Sequence, residues 1–316
     1  MSFAWVGMSD DGNTVTLKKM NEDLFKFSNY TDNFSSVNAN DVRVGVAIDI
    51  ETTGLDDLKD SIIEIGLRSF NFNKSTGEIL SLNETYTSFH DPGKPLTSEI
   101  IALTGITDDM VKDKNIDWDE VHNILSNSHI IIAHNAAFDR PFIENATTEA
   151  ISSLSSSKIW GCSWKQVDWA KYGYKHQKLE ILSIYHGFFT TSHRALNDVN
   201  ALLYLLTFPN QNNNNPYFMD IIKNARTKTY VVEARCSPFE KKDLLKLRGY
   251  QWNPACGFWS LSISECLLEK ELIWLRDAVY GGKSRAEYHL VNFKVYKSRH
   301  DLTVTRFSYE FTVSSS

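Results

Sequence analysis

Nothing in the 316 residues approaches the ~18 consecutive apolar positions of a membrane-spanning helix. Residues 1–11 have no basic stretch running into an apolar core, so no secretory leader is expected and the cytoplasm is the expected location. Cysteine is scarce. Cys162, Cys236, Cys256 and Cys266 are the four present, and no two have CxxC spacing, which argues against a zinc site. A chain of this size and context has little need of a disulfide framework, and isolated cysteines of this kind behave as small buried hydrophobes. Proline is scarce too. Of seven, Pro209 and Pro216 bracket an asparagine run. The remaining composition, 42% hydrophobic and 23% charged, is that of a globular protein with one large domain or two ordinary ones.

The net charge of −6 is unevenly spread. Residues 1–216 carry 17 Lys+Arg and 28 Asp+Glu, whereas residues 217–316 carry 16 and 11. The basic C-terminal part fits either a polyanionic partner or an ordinary solvated surface.

The most informative stretch is Val44-Gly45-Val46-Ala47-Ile48-Asp49-Ile50-Glu51-Thr52-Thr53-Gly54-Leu55. Its apolar start reads as a buried strand. Asp49 and Glu51 are two apart, so a strand points both to one side. Two carboxylates together repel each other unless a cation sits between them or both simply reach water. Oxygen-only ligands favour a hard divalent cation such as Mg or Mn.

Residues 61–70 and 81–89 read as further strands around a turn at 74–78, which makes an antiparallel meander. Residues 97–105 read as a capped helix and 117–126 as another, with Val121, Ile124 and Leu125 on one face. His129-Ile130-Ile131-Ile132-Ala133-His134-Asn135 is a buried strand with a polar end, followed by a helix from Ala136 that carries Asp139. Helical segments are expected at 167–172, 179–186 and 193–206, the last with Ala195, Val199, Leu202 and Leu206 on one face. Residues 208–216 read as a linker.

Three segments together resemble the DEDD exonucleases, specifically the histidine subgroup that includes the proofreading epsilon subunit of bacterial DNA polymerase III. They are Ile48-Asp49-Ile50-Glu51-Thr52-Thr53-Gly54-Leu55, His134-Asn135-Ala136-Ala137-Phe138-Asp139 and His193-Arg194-Ala195-Leu196-Asn197-Asp198. The resemblance implies an α/β, ribonuclease H-like fold, a mixed five-stranded sheet with flanking helices over residues 42–207. It implies two divalent metal ions held by Asp49, Glu51, Asp139 and Asp198, with Asp49 bridging, and His193 as general base. It also implies substrate contacts by Thr52 and Leu55. His134 and Asn135 are candidate substrate contacts or, alternatively, hydrogen-bonding residues that shape the site. The implied activity is 3′–5′ hydrolysis at a single-stranded DNA 3′ end, with RNA trimming and an inactive tethering protein as alternatives. A replication or repair partner is the expected context.

Residues 1–41 read as a polar extension, in which Asn21-Glu22-Asp23-Leu24-Phe25 resembles sliding-clamp-binding peptides; a short packing helix is the alternative. Residues 217–316 read as a smaller α+β accessory domain, binding nucleic acid or a partner. There Tyr250, Trp252 and Trp259 beside Lys241, Lys242, Lys246 and Arg248 form either a stacking and phosphate-binding surface or a core.

Overall fold

The structure, a computed structural model, describes residues 7–20, 37–145, 148–191, 193–225, 229–254, 257–281, 292–296 and 306–308. The Asp-Leu-Phe tripeptide at 23–25 lies outside them. The chain divides into two compact units, residues 1–225 and 226–316.

In the first unit the strands are β1 (Lys18–Lys19), β2 (Val42–Thr52), β3 (Ile62–Asn73), β4 (Ile79–Phe89), β5 (Ile130–Ala133), β6 (Trp160–Cys162) and β7 (Phe188–Phe189). Five of them form a sheet in the order β4-β3-β2-β5-β6. The β2, β3 and β4 pairings are antiparallel, while β2–β5 and β5–β6 are parallel, so the sheet is mixed as expected. Alternation along β3 sends its residues to two cores. Phe70 and Phe72 join Trp169, Val199, Leu202, Tyr217 and Phe218 on one face. Ile65 and Leu67 join Val121, Ile124, Phe142 and Ile151 on the other. Each face is covered by helices, which is why β2 and β5 read as almost unbroken apolar runs.

Three expectations need correction. Residues 167–172 form turns rather than a helix; the helix there is Ser163–Gln166. Trp169 and Tyr172 enter the core from these turns, and Gly173 at φ +88° closes them. Residues 208–216 are not a linker between units. Asn210 is buried, and its side-chain oxygen accepts the backbone N–H groups of Asn212 and Asn213, each at 3.1 Å. The helix that follows, Tyr217–Asn224, seals the first core through Tyr217, Phe218 and Ile221. The first unit therefore ends at Ala225. Finally, part of the polar extension is structured, since β1 pairs in parallel with β7.

The second unit has the strands β8 (Thr229–Ala234), β9 (Gln251–Asn253), β10 (Phe258–Ser264), β11 (Asn292–Tyr296) and β12 (Arg306–Ser308), in the order β12-β11-β8-β10-β9. The helices Lys242–Arg248 and Glu265–Trp274 accompany the sheet. Its core contains Val232, Ala234, Leu245, Tyr250, Leu272 and Leu275. The helix Glu265–Trp274 runs on into a wider π-helical turn over Leu275–Val279. Of residues 288–313, β11 and β12 are described, and they extend the sheet on the β8 side.

Candidate active site

The site forms where β2 and β5 end. Parallel strands leave a crevice beyond their carboxyl ends, where α/β proteins commonly bind ligands. Asp49 and Glu51 stand near the end of β2, on the face that carries the helix Ala195–Thr207. β5 leads directly into the helix Ala136–Asn145, whose first turn brings Asp139 to the same strand end, 3% exposed. There the Ile50 backbone N–H partly offsets the burial that raises the Asp139 pKa.

The helix Ala195–Thr207 supplies the remaining groups. His193 precedes it in the left-handed conformation, at φ +61°. The backbone N–H of His193 donates to Asp198 Oδ2 at 2.8 Å. Asp198 therefore closes the turn from the helix's first turn, one of the places where an acidic side chain is favoured. Donor atoms of Glu51, His193 and Asp198 all lie within 4.8 Å of one another.

A fifth carboxylate organises this corner. Glu64 is directly opposite Glu51 in the β2–β3 ladder. It is buried, accepts from Arg194 Nη2 at 3.0 Å, and takes the Ala195 backbone N–H at 3.1 Å. Arg194 caps the helix by position but makes no side-chain cap, so Glu64 satisfies that N–H from another strand. The sequence signal was a lone Glu inside Ile62-Ile63-Glu64-Ile65, a position that an apolar strand would otherwise fill.

Gly66 lets the helix come this close. It pairs with Asp49, and a Cβ there would lie 2.5 Å from Leu196 N and 2.6 Å from the Ala195 carbonyl carbon. Both obstacles are backbone, so Gly66→Ala must push the helix start away. The variant is expected to lose about 1–3 kcal/mol of stability, the usual cost of overpacking. It should also displace His193 and Asp198 relative to Asp49. Thermal melts and hydrolysis assays check this; wild-type values for both would refute the close approach.

The carboxylates titrate far from their usual range. Burial first, then repulsion from Asp139, Asp198, Glu51 and Glu64, holds Asp49 well above it. Glu51 is pushed up to about 8, by burial and then by Asp198 and Glu64. Burial raises Asp139 to about 7 and Asp198 to about 6. The cluster carries more negative charge than its surroundings neutralise, because the nearby guanidinium of Arg194 is engaged by Glu64.

The other sequence candidates are differently placed. His134 uses both ring nitrogens within the protein: Nδ1 accepts from the Ser163 hydroxyl, and Nε2–H donates to the Gln177 carbonyl, both at 2.8 Å. Burial lowers its pKa to about 4. Both ring nitrogens are thus engaged within the protein. Asn135 is exposed, and its carbonyl accepts the Phe138 N–H. Thr52 is buried, its hydroxyl donating to the Gly54 carbonyl. Leu55 projects into solvent, 86% exposed, from a loop tied by the Asp60 carboxylate to Thr53 and Asp56.

Residues 46–206 match the family described as exonuclease, RNase_T, and the chain belongs to that family. Members use two divalent metal ions, and the acidic cluster lies inside the matched region. The chain is similar to the PolC-type DNA polymerase III of Listeria welshimeri, 32% identical over 195 residues, 56% of this chain and 12% of that protein. It is likewise 32% identical over 173 residues to the PolC-type DNA polymerase III of Bacillus subtilis, 51% of this chain and 11% of that protein. The chain thus spans about a tenth of the length of these relatives. Among solved structures, exonuclease X in complex with 5′ overhanging duplex DNA aligns at 25% identity and a TM-score of 0.39, covering 52% of this chain and 89% of that one.

Proposed function

We propose that the chain is a 3′–5′ exonuclease that removes nucleoside monophosphates from the 3′ end of single-stranded DNA. The observation that carries this reading is the cluster at the β2 end, where Asp49, Glu51, Asp139 and Asp198 meet with His193 alongside. Oxygen donors of one charge, buried or half-buried and mutually repelling, fit a pair of divalent cations, magnesium or manganese. Asp49, Glu51, Asp139 and Asp198 would hold them. When bound, the cations supply activation of the attacking water and stabilisation of the departing oxygen.

The chain's own residues do the rest. Asp198 fixes the turn that presents His193, through the backbone bond at 2.8 Å. His193 is exposed at the rim, where its imidazole takes the proton of the attacking water as general base. Glu64 and Arg194 hold the helix start so that this geometry is set before substrate arrives. Leu55, exposed beside the strand end, offers an apolar surface to the terminal nucleoside.

Digestion of matched DNA and RNA oligonucleotides, single and double stranded, with free or blocked 3′ ends, tests this. Free 3′ ends of single-stranded DNA should shorten one mononucleotide at a time, in the presence of magnesium or manganese and not after chelation. Preferential consumption of RNA would redirect the reading to an exoribonuclease. No hydrolysis with either cation would leave an inactive tethering protein.

A further inference from the structure

The second unit carries a groove of about 540 Å³ beside the start of the helix Lys242–Arg248 and the β9–β10 hairpin. Its walls include Phe239, Lys242, Lys246, Trp252 and Trp259. The volume lies in the range of small-ligand sites.

The aromatics of this unit fall into two groups. Tyr250 is core: it is 3% exposed and its hydroxyl donates to Glu271, which also binds Arg248 at 2.9 Å. Arg248 further stacks on Trp274. Tyr250 therefore leaves the surface that the sequence offered it, and the exposed Arg248 is held by Glu271 and Trp274. Trp252 and Phe239 behave oppositely, at 50% and 75% exposed. The Trp252 ring stands against Trp259 with centroids 5.5 Å apart.

Lysines accompany these rings. Lys242 Nζ is 4.2 Å from the Phe239 ring centre and Lys246 Nζ is 6.0 Å from that of Trp259. Lys246 has Asp243 at 4.0 Å, beyond hydrogen-bond length, and both side chains are largely exposed. Exposed flat rings with ammonium groups beside them match a ligand that alternates π-faces with negative charge. Single-stranded nucleic acid has that chemistry: bases stack on aromatics and phosphates meet lysines. A purely apolar partner would gain nothing from the two lysines, and the basic balance of residues 217–316 favours a polyanion.

We propose that this groove binds single-stranded nucleic acid, with bases stacked on Trp252 and Phe239 and phosphates on Lys242 and Lys246. The groove is lined by residues of the second unit alone, and its binding does not depend on hydrolysis.

A circular single-stranded oligothymidylate tests the proposal, because it offers no 3′ end to the nuclease site. Binding of the full chain is followed by anisotropy and tryptophan quenching, with chelator present, over a salt series. Trp252→Ala should weaken binding about tenfold, the scale of one lost base stack. Lys242→Glu with Lys246→Glu should weaken it further and flatten the salt dependence by about 1.4 in log–log slope, the share of two phosphate contacts. Phe239→Ala serves as a second aromatic variant, and melting curves identify any variant that fails to fold. Folded variants that bind the circle like the wild type would overturn the groove. So would a wild-type chain that does not bind the circle, which would favour a protein partner instead. Failure of the wild type to shorten linear DNA would sink the DNA-exonuclease reading and leave the circle result intact.

Discussion

Asp49→Asn is expected to abolish hydrolysis while raising the melting temperature of the cation-free protein. The two effects have one origin. Asp49 sits among Asp139, Asp198, Glu51 and Glu64, and burial plus these neighbours oppose its ionisation. On the proposed function the carboxylate serves the reaction, and folding gains nothing from its charge. An amide has the same shape and no charge, so it removes repulsion from the folded state while weakening the cation site. The rate should fall by roughly a thousandfold or more, the upper scale for losing one preorganised electrostatic group. Full activity in Asp49→Asn would show that the site has been wrongly assigned.

The same cluster sets a pH dependence. Glu51 at about 8, Asp139 at about 7 and Asp198 at about 6 are all raised above the unfolded carboxyl range near ~4. Between those limits the folded chain holds protons that the unfolded chain has released. Stability of the chelated protein must then fall as pH climbs from about 4 to about 8, the reverse of the usual carboxylate trend. Added magnesium should restore it most at the alkaline end, where the ligands are deprotonated. Asp49→Asn should flatten the slope. Melts of the chelated wild type that are unchanged across this window would contradict the shared burial of these groups.

His193→Asn should lower the rate by about a hundredfold to ten-thousandfold, the usual worth of a general base, with little change in stability. The choice of Asn follows from the backbone. His193 occupies the left-handed region at φ +61°, which Asn accepts more readily than Ala does. The backbone N–H that binds Asp198 is also preserved. The variant thus separates proton transfer from the architecture of the turn. Unfolding of His193→Asn would mean that the side chain carries structure; an unchanged rate would remove it as the base.

The sequence disclosed the groups whose chemistry is local and hid those whose role depends on distant partners. Asp49 and Glu51 could be paired from strand geometry alone, and the helix that carries Asp198 followed from its apolar face. The position of Glu64 beside them could not, because its partners Arg194 and Ala195 come 130 residues later. His134 opened a recognisable motif, yet its two hydrogen bonds run to the distant Ser163 and Gln177. The asparagine run between Pro209 and Pro216 was polar enough to pass for a linker. Only the closed loop around Asn210 and the burial of Tyr217 and Phe218 show that the chain turns there and goes on packing. In the second unit the aromatics could not be sorted by type. Tyr250 went inward, its hydroxyl donating to Glu271, while Trp252 stayed out.

The helix Tyr217–Asn224 has a bearing on how the first unit is made. Phe218 stacks edge-on against Phe70 and Phe72. Tyr217 completes a hydrogen-bonded group with Tyr174 and His186. Fully burying two such rings stabilises the unit by about 2 kcal/mol each. These contacts join the early sheet to the last residues of the unit, so they cannot form on a ribosome until translation has passed residue 218 and the segment has emerged. The sheet is therefore synthesised well before the helix that covers one of its faces. For that interval a nascent chain leaves Phe70 and Phe72 without their Phe218 cover, the kind of exposed apolar surface that chaperones engage.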